Sequence, residues 1–300
     1  MTHNTKNSLI IIGLLALAVA VEIFLITRTG FRTPTTKTSQ TGGEPTSETF
    51  FFQSDRIARL QAAVTSCDLK VSVWDEGRIE IIITSNRAQR DRPYAILQDD
   101  AVIISEDEQE ISSKDKTSLD IKMPKNLAGE FNNFIMSLKT TSGAISAQQF
   151  SCSSFAATTT SGRIMIDGAS FTTAEFATES GAVICSDATA AKVSATAKDG
   201  AVRYTGTCNR IFIKTQAGAI QYSATEMVQE ALFESESGSI NITLPENDGY
   251  ALSYAAQNGR LKDAFTNTNA KGNGNIIYKN GAALVDVKTS DGNINISKAK

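Results

Sequence analysis

Apolar residues fall at alternate positions through much of this chain, and from residue 139 onward they do so inside a unit that recurs. Each unit holds a polar residue, then Ser, Asp, Ala or Asn, then Gly, a mostly small residue and an aliphatic one. Thr141-Ser142-Gly143-Ala144-Ile145 and Glu179-Ser180-Gly181-Ala182-Val183 are two copies. The glycines are Gly143, Gly162, Gly181, Gly200, Gly218, Gly238, Gly259 and Gly292, spaced by 19, 19, 19, 18, 20, 21 and 33 residues. Two places after each glycine stands an aliphatic residue, from Ile145 to Ile294. Four places after, the column runs from Ala147 through Cys185, Tyr204 and Tyr222 to Ile296, with Asp263 its single polar member. Seven and five places before the glycine, residues such as Met136, Phe155, Leu138 and Phe176 make two further apolar columns. The positions between are mixed, with Phe212 and Leu232 as apolar departures among Ser137, Glu175, Ser194 and Asp286. A period of two on both sides of a fixed glycine predicts two strands per unit, each with one face inward, joined by a sharp bend.

The bend explains the glycine. A β-arc or a tight hairpin there needs positive φ or close backbone approach, and only Gly supplies both without steric conflict. Ser, Asp or Asn before it can hydrogen-bond the neighbouring backbone. A near-constant internal period favours a solenoid, in which each column becomes a ladder with rungs about 4.8 Å apart. The competing reading is a hairpin meander, which would leave its buried face without a second layer. The expected fold is therefore all-β: a parallel β-solenoid (β-helix-like) with coils of about 19 residues.

Upstream the pattern changes three times. Residues 50–138 read as a β lead-in to the solenoid of 139–300, with Ile79, Ile81 and Ile83 at period two and Leu119, Ile121 and Met123 in a further strand. Phe50, Phe51 and Phe52 are expected to cap the core. The acidic run Glu106–Glu110 is read as a solvated turn, because a calcium loop spaces its ligands and places Gly at the bend. Residues 28–49, rich in Thr and Ser with Pro34, Pro45 and Gly42-Gly43, read as a flexible linker.

Residues 1–27 contain an eighteen-residue apolar run, Leu9 to Ile26, interrupted only by Glu22. It reads as one N-terminal transmembrane helix preceding the solenoid. A signal peptide cleaved after Ala18-Val19-Ala20 is the rival, but the run stays apolar beyond that point. The positive-inside bias of Arg28, Arg32 and Lys37 would hold the β domain in the cytoplasm. Long downstream domains often translocate regardless of such charges, so the expectation is a single-pass protein of the bacterial cell membrane with an extracytoplasmic β domain.

Chemistry is bounded mostly by what is missing. The net charge is −3, which gives no basic surface for nucleic acid. The single histidine, His3, precedes the apolar run, so the repeat region cannot use His for a triad, for proton transfer or for zinc. No catalytic, metal or cofactor-binding residues are assigned. Outward columns carry Arg163, Arg203, Lys262 and Glu175 scattered among Ser, Thr and Ala, without the paired acids of a polysaccharide-active β-helix enzyme. Cys152, Cys185 and Cys208 fall in different coils and columns, too far apart along the ladder for a disulfide.

The string Ser118-Leu119-Asp120-Ile121-Lys122-Met123-Pro124-Lys125-Asn126, followed by Lys139-Thr140-Thr141-Ser142-Gly143-Ala144-Ile145, resembles the bacterial β-strand-repeat family named "putative adhesin". The closing Lys288-Thr289-Ser290-Asp291-Gly292-Asn293-Ile294-Asn295-Ile296 is similar to that family's terminal repeat. The resemblance implies an envelope-anchored domain of unknown function and brings no catalytic residues. The expected function is a non-enzymatic cell-envelope structural or binding module, tethered to the membrane by its N-terminal helix, with an envelope polymer or a protein as partner. An assembly or regulatory scaffold at the membrane, with self-association through open solenoid ends, is the alternative.

Overall fold

The computed structural model of the chain describes residues 44–107, 115–127 and 133–299. Among them are twenty-one strands and two three-residue 3-10 turns. Each repeat supplies a first leg before its glycine and a second leg after it. First legs stack in parallel: Ser151–Thr159 lies between Ile135–Thr140 and Ser170–Thr178, aligning Met136, Phe155 and Ala174. Second legs do the same, aligning Ile145, Ile164 and Val183. Parallel pairing one repeat apart is what coiling produces, whereas a meander would pair its strands antiparallel. All four inward columns are buried, Asp263 included.

The two ends depart from a purely parallel solenoid. Tyr94–Gln98 runs antiparallel along Ala101–Ser105. Arg78–Ser85 runs antiparallel along Thr117–Pro124, and Thr46–Gln53 covers Arg78–Ser85 in turn. Phe50 and Phe52 of that outer strand pack against the core, while Phe51 is exposed beneath the Arg78 guanidinium at 4.2 Å. At the other end, Thr268–Lys279 runs antiparallel along Gly249–Asp263.

Spatial order also leaves chain order at both ends. Arg59–Val64 sits between Ala101–Ser105 and Ile135–Thr140, so the later strand lies further out. Ala283–Thr289 is inserted between Glu230–Ser235 and Gly249–Asp263, and Ile294–Lys298 between Ile240–Leu244 and the end of Gly249–Asp263. The 33-residue spacing before Gly292 is thus the returning arm Thr268–Lys279, which carries the chain back so that its last coil enters one rung early.

The expected transmembrane helix does not hold. No helix among the described residues is long and apolar enough to cross a membrane. The run Leu9–Ile26 lies outside the described residues. The membrane as partner, the tether and the single-pass extracytoplasmic placement all rested on that helix and find no support among the described residues.

Candidate binding surface

The turns set the register of everything outside them. At each arc the glycine faces the carbonyl of the preceding coil's arc. A methyl group on Gly162 would overlap the carbonyl oxygen of Gly143, and so on through Gly181, Gly200, Gly218 and Gly238 to Gly292 and then Gly259. Gly143 meets the carbonyl of Cys67, which occupies the glycine's place in the preceding coil. None of these eight has positive φ, so close approach is the operative demand.

A second column at the arcs is absent from the sequence reading. Three places before the glycine stand Thr140, Thr159, Thr178, Thr215, Ser235 and Thr289, all buried. Thr159 accepts the Gly162 N–H at 3.0 Å and donates to the Gly143 carbonyl at 3.1 Å, binding its own coil to the one before. Thr178 repeats this with Gly181 and Gly162, and Thr289 donates to Gly238 at 3.0 Å. The recurring Thr or Ser ahead of the Ser-Gly pair was its signal in the sequence.

At the outer arc the repeat gives way to charge. Arg87 and Glu106 form a 2.6 Å ion pair with both side chains buried. Arg87 also donates to the Ser66 carbonyl at 2.9 Å, and Glu106 accepts the Thr65 N–H. Glu106 is therefore not part of a solvated turn; it closes arc groups that have no further coil to pair with. Residues 108–110 of the acidic run lie outside the described residues.

Strand alternation now sorts the exposed residues onto two faces. On the first legs, cations meet anions across rungs, Arg210 with Glu230 at 3.7 Å, Lys214 with Glu234 at 3.3 Å and Lys288 with Glu234 at 4.0 Å, and Lys288 also pairs along its own strand with Asp286 at 2.7 Å. Glu175 belongs to this face. On the second legs the exposed columns one and three places after the glycine contain no Asp or Glu. Arg203, Gln221, Asn241 and Asn295 are consecutive cross-strand neighbours there. Arg203 Nε donates to Gln221 Oε1 at 2.7 Å, and Asn295 Nδ2 to Asn241 Oδ1 at 2.9 Å. Beside them runs a hydroxyl column, Thr205, Ser223, Thr243 and Ser297, with Thr243 and Ser297 3.0 Å apart. Between the two columns lies a groove of about 200 Å³ over the backbone of Tyr204 and Tyr222. The sequence grouped Arg163, Arg203, Lys262 and Glu175 as one scatter; the structure puts the three cations on the second-leg face and Glu175 on the other.

Reactive side chains face inward instead. All four cysteines are free and buried. Burial pushes the Cys208 thiol up to about 11 and Cys152 up to about 12, so neither supplies a thiolate near neutral pH. Cys152 and Cys208 share one column, through Phe171 and Ala190, contrary to the expectation of different columns. Three rungs, about 14 Å, separate them. Burial raises the Tyr204 and Tyr222 phenols as well. Asp263 is held by Tyr250, whose hydroxyl donates to its carboxylate at 2.8 Å, and by the N–H of Phe265 at 2.9 Å. The thiols, the Tyr204 and Tyr222 phenols and the Asp263 carboxylate are thus committed to the core.

Solved structures are similar to the chain at low identity. A protein from Parabacteroides distasonis named "putative lipid binding protein" is 13% identical, with a TM-score of 0.51 over 87% of this chain and 98% of that one. A "putative adhesin" from the same organism is 9% identical, with a TM-score of 0.41 over 85% and 98% of the two chains. Another from Bacteroides fragilis is 11% identical, with a TM-score of 0.39 over 84% and 97%. No curated protein matches the chain. The profile of one family, Toastrack DUF4097, spans residues 57–297, and the chain belongs to that family.

Proposed function

We propose that the protein is a non-enzymatic binding module of adhesin type, docking an extended glycan along the outer face of its second legs. One observation carries this reading: Gln221, Asn241 and Asn295 stand beside Ser223, Thr243 and Ser297, one amide and one hydroxyl per rung of a parallel sheet, with a groove between the columns from Arg203 to Thr243. Side-chain amides and hydroxyls each both donate and accept, which matches the hydroxyl groups of a sugar chain. Regular rungs let a linear polymer repeat the same contacts. The lipid-binding name of one structural neighbour is a weaker guide, because the interior here is filled by aliphatic and aromatic columns. The eight arc glycines belong to this proposal as the elements that bring successive rungs close enough to align.

The experiment is binding of the full-length protein to a panel of soluble polysaccharides, comparing it with a variant carrying Gln221→Ala, Ser223→Ala and Asn241→Ala. The expected result is at least a tenfold loss of affinity in the variant with an unchanged melting temperature. Equal binding by both proteins would overturn the assignment of this face.

A further inference from the structure

We propose that the polymer bound on the second-leg face is an acidic polysaccharide, one bearing a carboxylate at intervals along a hydroxyl-rich chain. This rests on the docking reading above and sharpens it. The argument is one of charge segregation. The chain as a whole is acidic, at −3, yet the columns one and three places after the arc glycines hold Arg163, Arg203, Arg260 and Lys262 and no carboxylate. All four side chains are exposed. Two of the guanidinium groups bond neutral amides: Arg203 with Gln221, and Arg260 Nε with Asn269 Oδ1 at 2.9 Å. No ion pair holds any of the four among the described residues. On the first-leg face three cations, Arg210, Lys214 and Lys288, are paired with Glu230, Glu234 and Asp286. From Arg203 to Lys262 the second-leg face thus keeps its positive charge free of carboxylates, Asp167 being an exposed acid of that face further along, whereas Arg210, Lys214 and Lys288 on the first legs are paired with acids.

Spacing selects the kind of anion. Arg203 and Lys262 share a column, separated by the rungs of Gln221, Asn241 and Asn295, and so lie about 19 Å apart. Three amides therefore stand between successive cations. A duplex nucleic acid carries a charge about every 1.7 Å of its axis and is met by dense Lys and Arg, not by isolated cations among amides. A chain of sugars with an occasional carboxylate presents hydroxyls to the amides and an acid to the cation. Arg203, already oriented through Nε by Gln221, keeps its terminal nitrogens for a carboxylate, which a guanidinium meets in a two-pronged bond.

The test measures binding of the full-length protein to polygalacturonate, to neutral dextran, to duplex DNA and to anionic phosphatidylglycerol vesicles, at low and at high salt. Three variants join it: Arg203→Gln with Lys262→Gln, the amide and hydroxyl triple variant above, and Lys214→Gln on the opposite face. Polygalacturonate should bind in preference to the other three ligands, and more weakly as salt rises. The Arg203/Lys262 variant should lose about fivefold or more, as removal of two exposed charge contacts gives, and Lys214→Gln should bind as the parent does. Dextran bound equally well, with loss only in the triple variant, overturns the acidic assignment and leaves the docking face standing. Preference for DNA or vesicles overturns the polysaccharide assignment, as does an equal loss in Lys214→Gln. Failure of both glycans to bind overturns this proposal and the docking reading together.

Discussion

In the central coils, from Ile135 to Leu244, every strand lies between parallel neighbours and every arc repeats one device. Glycine lets the backbones meet, and buried hydroxyls such as Thr159, Thr178 and Ser235 tie their arcs to the one before. At the two ends neither device suffices. Antiparallel strands cover the last rungs, spatial order departs from chain order, and specific polar pairs appear inside, Arg87 with Glu106 and Tyr250 with Asp263. The difference shows where a repeat protein places its individuality. A coil that will be covered by another coil needs only to resemble its neighbours, while a terminal coil must satisfy backbone groups that the repeat would have satisfied.

The largest effects should come from breaking the central device. Gly181→Ala would drive a methyl into the Gly162 carbonyl, with Thr178 Oγ1 close on the other side. Neither neighbour can yield without separating two rungs, so the loss should be at least about 3 kcal/mol, the upper part of the range for overpacking. Gly77→Ala is the control: nothing lies within 4 Å of its added methyl, and it should leave the denaturant midpoint nearly unchanged. Ile164→Asp, which buries an unpaired carboxylate in the same coil, should be at least as damaging. Equal midpoints for Gly181→Ala and Gly77→Ala would refute close approach as the reason for the glycine column.

The ends can be broken by a different route. Arg87→Met should leave Glu106 buried without its partner and cost about 3–5 kcal/mol, whereas Arg87→Met with Glu106→Leu should recover much of the loss. Urea unfolding of the two variants measures this. No recovery in the double variant would mean that the bonds to Ser66 and Thr65, rather than the ion pair itself, hold the outer arc.

How much of this was legible in the sequence follows the same division. The central coils could be read because inward Ile, Val and Phe recur at fixed distances from Gly, and periodicity is a local signal. The ends could not, because pairing Ala283–Thr289 with Glu230–Ser235 skips a whole coil and leaves no periodic trace. Glu106 looked like solvated charge because its partner Arg87 is nineteen residues away. The apolar run Leu9–Ile26 offered length and hydropathy alone, and the helix drawn from it is not among the described elements. The proposed binding face was half visible. Arg203 and Lys262 were noted as exposed, but only the spatial order of the last two coils aligns Lys262 with Asn295 and Asn241 in one column.

The hydroxyl column lets the central device be tested one bond at a time. Thr178→Val keeps the side-chain shape but removes the acceptor for the Gly181 N–H and the donor to the Gly162 carbonyl. A buried N–H left without a partner costs about 1–3 kcal/mol. The coil at Gly200 already has Ala197 in this position, so the fold tolerates a single gap. Thr178→Val should therefore fold and melt lower, and Thr159→Val with Thr178→Val should lose more than the sum of the two, because adjacent arcs share Gly162. Strict additivity would mean that each hydroxyl serves only its own coil.

The smallest effect is alkaline and separates core from surface rather than centre from end. Burial holds the Cys152 and Cys208 thiols up to about 12 and about 11, while an unfolded chain ionises them near 8.5. A raised folded-state pKa favours the protonated native form, so this contribution is complete below about pH 8.5 and is lost as pH rises toward those values. The buried phenols of Tyr204 and Tyr222, also raised, act in the same direction above about pH 10. Stability measured by urea unfolding should fall steadily between about pH 8.5 and 10.5 while native contacts stay unchanged. Cys208→Ala should flatten that slope by up to one proton, about 1.4 kcal/mol per pH unit, whatever it does to stability at pH 7. An unaltered slope in Cys208→Ala would mean that this thiol reaches solvent, and that the column it shares with Cys152 is looser than its burial implies.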